Sequence, residues 1–127
     1  MMVHTEIKDN ILFNTVDGDI ILDQAEKMLL QINEGNVRDI ELSLWDIRKS
    51  DVGQLLDNDI RRCFIDKMIS LVKQSKRIKV AIVCSGDMMY GSARMISSIL
   101  SKYVTFEIRV FKSMDEGIDY LKKEAYE

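Results

Sequence analysis

The sequence contains no proline, one histidine and only two cysteines among its 127 residues. Average usage would give about 5% proline, so a complete absence is informative. It excludes a cis-proline switch, a PxxP ligand and a proline-rich linker. Every turn must therefore be built from glycine, asparagine, aspartate and serine.

The scarcity of histidine and cysteine also limits the chemistry. His4 is the single histidine, so histidine-based metal sites and Ser-His or Cys-His machinery have little material. Cys63 and Cys84 are too few for a disulfide scaffold and lack metal-ligand spacing, which is typical of the buried thiols of a cytoplasmic protein. We therefore expect no enzymatic activity, no cofactor and no metal site, and a cytoplasmic location.

Charge and hydropathy narrow the class of partner. The chain has 18 basic and 21 acidic residues, hence no broad basic field for a nucleic acid. No apolar run approaches the roughly 20 residues of a membrane span, so we do not expect an integral membrane protein. The hydrophobic content of 46% is near the globular average, and we expect residues 1–127 to form a single domain.

Strand and helix periods alternate along the chain and predict the order ββαβαβαβα. The expected strands cover residues 6–8, 11–16, 40–45, 78–84 and 106–111, with the last near an edge. The expected helices cover residues 23–33, about 60–72, 88–102 and 113–121. Asp9-Asn10 predicts a hairpin turn, and Asp23 and Ser113 predict helix caps. Since strands separated by helices need parallel crossovers, we expect an α/β fold with one mixed, mostly parallel five-stranded sheet and about four helices.

Five segments carry a resemblance to a known family. They are Leu44-Trp45-Asp46-Ile47-Arg48, Ala81-Ile82-Val83, the stretch from Tyr90-Gly91 to Ala93-Arg94-Met95, Val110-Phe111 and Tyr120-Leu121. In these residues the chain resembles the SpoIIAA-like branch of the STAS domains, which have a Sec14-like fold. The resemblance implies a regulatory or interaction module that forms a homodimer and binds protein partners through loops 46–54 and 85–95.

The chain departs from the family at its phosphorylation motif. Related anti-sigma-factor antagonists carry Asp-Ser-Ser/Thr-Gly at the start of the helix after this strand, whereas Ser50-Asp51-Val52-Gly53 here scrambles that order. Gly117 also stands where the family usually has alanine, and Tyr120 where it usually has tryptophan. Ser50 is still a candidate regulatory phosphosite, because we expect it in an accessible loop.

A loop leads from the carboxyl end of a predicted parallel strand into the third helix. Open α/β sheets bind ligands at that edge, and helix N-termini expose N–H groups to anions. Arg94 would add a bidentate contact to a phosphate or carboxylate. Alternatively, Gly91 permits close helix–sheet packing and Arg94 pairs with a local carboxylate such as Asp87, which would itself repel an anion. The candidate binding residues are Asp46, Ser50, Ser85, Asp87, Tyr90, Gly91 and Arg94.

The same residues support a second hypothesis, a domain that binds or senses a small ligand such as an anion. The resemblance implies the nucleotide and lipid classes, since some STAS relatives bind nucleotides and Sec14-like relatives bind lipids. Met88, Met89 and Met95 around the third helix favour this hypothesis if they line an adaptable apolar pocket, although core filling is the alternative.

A subunit or partner interface is a further candidate site. Trp45 and Arg109 are predicted on the polar side of their strands and are residue types favoured as interface anchors, unless a helix of the same chain covers Trp45.

Polar residues also follow strands in a way that a phosphoacceptor receiver domain would need. They are Asp17, Asp19, Asp46, Ser85 and Lys112. The spacing argues against a receiver, since only one helix separates the strand before Asp17 from the strand ending at Asp46. Aspartates that end strands and cap helices are the alternative.

Overall fold

A computed structural model describes residues 1–32, 39–51, 53, 57–72 and 77–123. These residues form a five-stranded mixed sheet and four helices in the predicted order. The strands are β1 (Met2–Lys8), β2 (Ile11–Asp19), β3 (Leu42–Asp51), β4 (Lys79–Val83) and β5 (Glu107–Phe111). The helices are α1 (Leu22–Ile32), α2 (Asn58–Val72), α3 (Asp87–Leu100) and α4 (Met114–Lys122). The predicted fold class is therefore confirmed.

The spatial order of the strands is the same as their order along the chain, β1-β2-β3-β4-β5. β1 and β2 are antiparallel, and all other neighbours are parallel. Because successive right-handed crossovers in one direction place their helices on one face, α1, α2 and α3 pack side by side there. α4 packs on the opposite face, against β3, β4 and β5. This order excludes the receiver fold, whose strands follow the order 2-1-3-4-5.

The turn between β1 and β2 confirms the predicted hairpin. Asp9 and Asn10 have φ angles of 53° and 63°, which are typical of a two-residue type I′ turn. Asparagine and aspartate tolerate this left-handed conformation better than most other residues. The turn fixes the pairing of Lys8 with Ile11 and of Thr5 with Asn14.

The main apolar core lies between the sheet and α4. Its buried members are Ile11, Leu44, Ala81, Val83 and Leu121. Gly117 of α4 lies so close to the sheet that a Cβ atom there would be 3.0 Å from Val83 Cγ2. Ser113 caps this helix as predicted, since its Oγ accepts a hydrogen bond from the backbone N–H of Glu116.

A chain of hydrogen-bonded polar side chains runs from β1 to β3 on the face of the sheet that α1, α2 and α3 cover. Thr5 Oγ1 donates to Asn14 Oδ1 at 3.2 Å, and Asn14 Nδ2 donates to Ser43 Oγ at 3.3 Å. Asn14 and Ser43 are almost fully buried, and their mutual hydrogen bond offsets part of the cost of removing them from water.

β3 is longer than predicted, because it was expected to end near Trp45 and instead continues to Asp51. β2 also extends, and residues 17–19, which were expected to form a turn, pair with residues 49–51 after a register shift. This extension projects beyond the end of β4, so its residues other than the buried Ser50 are exposed and do not follow the alternation of a covered strand. Residues 46–51 of the expected loop 46–54 are therefore strand.

The start of α1 also differs from the prediction. The helix begins at Leu22, so Asp23 lies inside its first turn and not at the cap position. An aspartate in the first turn still interacts favourably with the helix dipole. The predicted end of this helix near Asn33 and Gly35 lies outside the described residues.

Candidate functional site

Most of the predicted site residues lie on one surface at the carboxyl end of β4 and beside the part of β3 that continues past it. We call it the strand-end surface. It comprises Asp46 and Arg48 of β3, Ser85 of the loop after β4, Asp87, Met88, Tyr90, Gly91 and Arg94 of α3, and Lys112 after β5. Asp46 pairs with Val83 at the last residue of β4, and α3 begins four residues later, which brings these elements together.

Asp46 and Arg48 form a bidentate ion pair on this surface. Arg48 Nε and Nη2 each donate to a different carboxylate oxygen of Asp46 at 2.9 Å. The Arg48 side-chain hydrogen bond lowers the pKa of Asp46 below its usual value, outweighing the opposing effect of burial. Asp46 is therefore an ionised structural partner of Arg48, which is the opposite of what a general acid needs.

Ser85 and Cys84 connect the loop after β4 to its neighbours. Ser85 Oγ donates to the carbonyl oxygen of Arg48 at 3.2 Å, which holds the loop against β3. Cys84 is fully buried, and burial raises the pKa of its thiol. A buried thiol with a raised pKa is a poor nucleophile. Gly86 follows at φ 78°, a conformation that favours glycine at this position before α3.

Asp87 pairs with Lys112 and not with Arg94. Lys112 Nζ lies 2.5 Å from Asp87 Oδ1, and this hydrogen bond lowers the pKa of the Asp87 carboxyl. The alternative in which Asp87 neutralises Arg94 is therefore wrong. Sequence reasoning did not include Lys112 among the binding candidates, although it follows β5 at the same sheet edge as Ser85 follows β4.

Tyr90 lies between two cations. The guanidinium carbon of Arg94 is 5.6 Å from the centroid of the Tyr90 ring, and Lys112 Nζ is 4.9 Å from it. Both distances are within the range of cation–π attraction. Asp87, Lys112, Tyr90 and Arg94 are thus linked in one row of charged and aromatic groups across α3 and the end of β5.

Gly91 and the neighbouring methionines lie on the outer side of α3. A Cβ atom at Gly91 would meet no atom within 4 Å, so close helix–sheet packing does not explain this glycine. Met88, one turn earlier, is 70% exposed, and Met95 is also exposed. Neither of these two methionines fills the core, and together with Gly91 they present an open apolar strip beside Arg94.

Ser50 does not belong to the strand-end surface. The expectation of an accessible loop hydroxyl is wrong, because Ser50 lies in β3 and is only 7% exposed. Its Oγ donates to the carbonyl oxygen of Ile47 at 2.7 Å. A modifying enzyme would have to open this end of the β2–β3 pair to reach the hydroxyl.

Trp45 and Arg109 lie on opposite faces of the sheet, so they do not form one interface. Trp45 is in register with Ile82 and, through it, with Val110, which places Arg109 on the other side. Trp45 is half-buried and packs beneath α2 in a small apolar cluster with Leu12, Ile40, Met68 and Leu71. Arg109 is exposed and lies 5.5 Å from the ring centroid of Tyr120, on the α4 side.

Comparison with known proteins identifies the fold. No known family profile matches the chain, and no curated protein matches it. A solved structure matches with a TM-score of 0.60 and 16% identity over 94% of this chain and 92% of that one. It is described as an uncharacterized protein of the DUF3478 family with a SpoIIAA-like fold from Shewanella loihica PV-4. The chain therefore has the SpoIIAA-like fold that the sequence resemblance implied.

Two further observations concern the described part of the chain. None of its helices has the length and apolar character needed to cross a bilayer. Within the same residues, no group of three or more histidine, cysteine, aspartate or glutamate side chains is arranged to hold a metal ion.

Proposed function

We propose that this chain is a non-enzymatic regulatory or interaction module that binds a protein partner through the strand-end surface. The proposal narrows the loops expected from the sequence, 46–54 and 85–95, to the end of β3, the loop after β4, the first two turns of α3 and Lys112. Homodimer formation and a cytoplasmic location are parts of the same proposal. Both cysteines are free, which supports the latter, although the expectation that both are buried is wrong for Cys63, which is exposed.

The observation that carries the proposal is the combination of an exposed apolar anchor with a preorganised aromatic–cation row. Met88 projects into solvent, and Tyr90, which lies on a different side of the same helix turn, is held by cation–π contacts with Arg94 and Lys112. Tyrosine, arginine and methionine are enriched at protein interfaces, and side chains already held in place lose less entropy on binding. This surface therefore supports docking of a protein better than it supports chemistry.

The charge pairing favours a protein partner over a small anion. Arg48 is neutralised by Asp46, and Lys112 is neutralised by Asp87. An anion would have to displace one of these carboxylates, whereas a protein surface can add polar contacts around both pairs. The small-ligand hypothesis then depends mainly on Arg94, which lies over Tyr90.

The test is affinity capture with the immobilised domain from a lysate of the source cells, followed by quantitative mass spectrometry. Met88→Asp and Arg94→Glu are compared with Tyr103→Asp, a matched control at an exposed position beyond the other end of α3. We expect at least one protein to be captured by the wild type and by the control, and to be lost with both strand-end variants.

The proposal fails if every protein captured by the wild type is retained by Met88→Asp and Arg94→Glu, with circular dichroism showing that both variants are folded. A thermal-shift panel of nucleotides, inorganic anions and fatty acids addresses the small-ligand hypothesis. A stabilising compound whose effect disappears in Arg94→Glu would replace the protein partner with a ligand of that class.

A further inference from the structure

The outer edge of β1 is a second exposed surface, remote from the strand-end surface. In the described sheet β1 is an edge strand of seven residues that pairs with β2 on one side. Six of its residues are exposed, including Ile7 at 52%. A strand of this kind offers a row of backbone N–H and C=O groups to another strand.

The hairpin turn determines which backbone groups point outward. A two-residue type I′ turn is closed by a hydrogen-bonded pair, here Lys8 and Ile11. Because hydrogen-bonded and non-hydrogen-bonded pairs alternate in an antiparallel ladder, Glu6 and His4 also bond to β2. The N–H and C=O groups of Val3, Thr5 and Ile7 then face away from the sheet.

We propose that a second copy of this chain pairs with this edge, antiparallel, about a two-fold axis through Thr5. The two Thr5 residues would then face each other, and Val3 would face the partner's Ile7. These are the residues whose backbone groups point outward, so each such pair can exchange two hydrogen bonds. The two sheets would become one continuous sheet of ten strands.

The side chains make this register self-complementary. His4 would lie opposite the partner's Glu6, Val3 opposite the partner's Ile7, and Met2 beside the aliphatic stem of the partner's Lys8. The Glu6 carboxylate, which lies 3.7 Å from His4 Nε2 of its own strand, can accept a hydrogen bond from the partner's imidazole. β-branched apolar pairs also stabilise adjacent strands, and like charges destabilise them. Moving the axis to Glu6 would place two glutamates side by side, and moving it to His4 would place two histidines together. Complementarity therefore selects the axis at Thr5.

This inference specifies the homodimer that is part of the proposed function, but it does not depend on the strand-end surface. A seven-residue edge is small compared with a standard interface of roughly 1,600 Å², so we expect a weak, concentration-dependent dimer. Sedimentation velocity over a wide range of protein concentration measures it directly.

A charge swap tests the register. Glu6→Lys would replace the carboxylate opposite the partner's His4 with an ammonium group that cannot accept a hydrogen bond from the imidazole, and we expect it to weaken the dimer roughly tenfold because each contact occurs twice. The double variant His4→Glu with Glu6→Lys would place a carboxylate opposite an ammonium group of the partner and should restore association. Ile7→Pro removes an outward N–H and should abolish the dimer, whereas Tyr103→Ser, away from this edge, should not change it.

Disulfide formation tests the axis independently. In a Cys63→Ser background, Thr5→Cys should form a cross-linked dimer under mild oxidation, because paired Cα atoms about 5.5 Å apart suit a disulfide. Ile7→Cys should not form this cross-link, since two such residues would be displaced by four positions along the strands, roughly 13 Å.

The proposal is overturned if the wild type is monomeric at all concentrations, or if its dimer is unaffected by both Glu6→Lys and Ile7→Pro. Cross-linking through Ile7→Cys but not Thr5→Cys would also overturn it. Capture of a partner at the strand-end surface is measured separately and does not depend on these results.

Discussion

Asp46 shows what a single ion pair contributes to β3 beside the end of β4. Its carboxylate accepts two side-chain hydrogen bonds and one backbone hydrogen bond from Arg48. The pKa of Asp46 is lowered in the folded state, so the pair stabilises the fold above the ordinary value of 3.8. This contribution is lost as the pH falls from that value through the lower folded-state pKa.

We expect Asp46→Asn to lower the free energy of unfolding by about 1 kcal/mol at pH 7, a value reduced for the partial exposure of Arg48. The difference from the wild type should shrink as the pH falls below 3.8, and it should disappear only below the lowered folded-state pKa, where both proteins carry no charge at this position. Urea unfolding across this pH range measures it. Asp87→Asn is the matched control and should change stability little, because Asp87 and Lys112 are both exposed. An Asp46→Asn effect that does not depend on pH would contradict the ion-pair explanation.

At the scale of elements, a lysine from the sheet caps the end of α4. Lys79 at the start of β4 is only 6% exposed, and its Nζ donates to the carbonyl oxygens of Lys123 at 2.6 Å and Tyr120 at 3.3 Å. A cation at a helix C-terminus interacts favourably with the dipole and donates hydrogen bonds to carbonyls of the last turn.

Replacing this lysine with methionine keeps the apolar stem and removes the cap. We expect Lys79→Met to cost about 2 kcal/mol, the usual range for charge-assisted hydrogen bonds, and to increase amide exchange in the last turn of α4. Lys122→Met, which removes an exposed side chain 3.6 Å from Asp9, should have a much smaller effect. Equal losses in the two variants would show that the buried cap has no special role.

Two helical glycines differ in what surrounds them. Gly91→Ala in α3 would place its Cβ in open space and should stabilise the protein by about 0.5–1 kcal/mol through helix propensity. Gly117→Ala in α4 would place its Cβ 3.0 Å from Val83, a buried β-branched side chain with little freedom to move, so we expect a net loss. Thermal unfolding should show a higher Tm for Gly91→Ala and a lower Tm for Gly117→Ala than for the wild type. A higher Tm for Gly117→Ala would show that the core beneath α4 adjusts to the added methyl group.

At the scale of the whole molecule, hydrophobic periodicity and turn chemistry predicted the fold, because parallel crossovers allow few arrangements of alternating strands and helices. The Asp9-Asn10 hairpin and the cap at Ser113 depend on neighbouring residues and were predicted correctly. The continuation of β3 to Asp51 was not predicted, because this part of the strand is held by pairing with β2 and has no continuous buried face that a sequence pattern would reveal. The burial of Ser50 and the meeting of Asp87 with Lys112 likewise arise from contacts between distant segments.

The sheet order makes the two proposed surfaces independent. β1 forms one edge, while the strand-end surface lies on β3, β4 and the elements that follow β4 and β5. β1 and β4 are three strand spacings apart, about 14 Å, and substitutions at separated sites without shared contacts usually act additively. We therefore expect Met88→Asp to leave the dimer dissociation constant unchanged and Glu6→Lys to leave partner capture unchanged. The double variant should show both single defects without further loss. Sedimentation and quantitative capture on the same four proteins measure this, and loss of the dimer in Met88→Asp would place dimer contacts on α3 instead of the β1 edge.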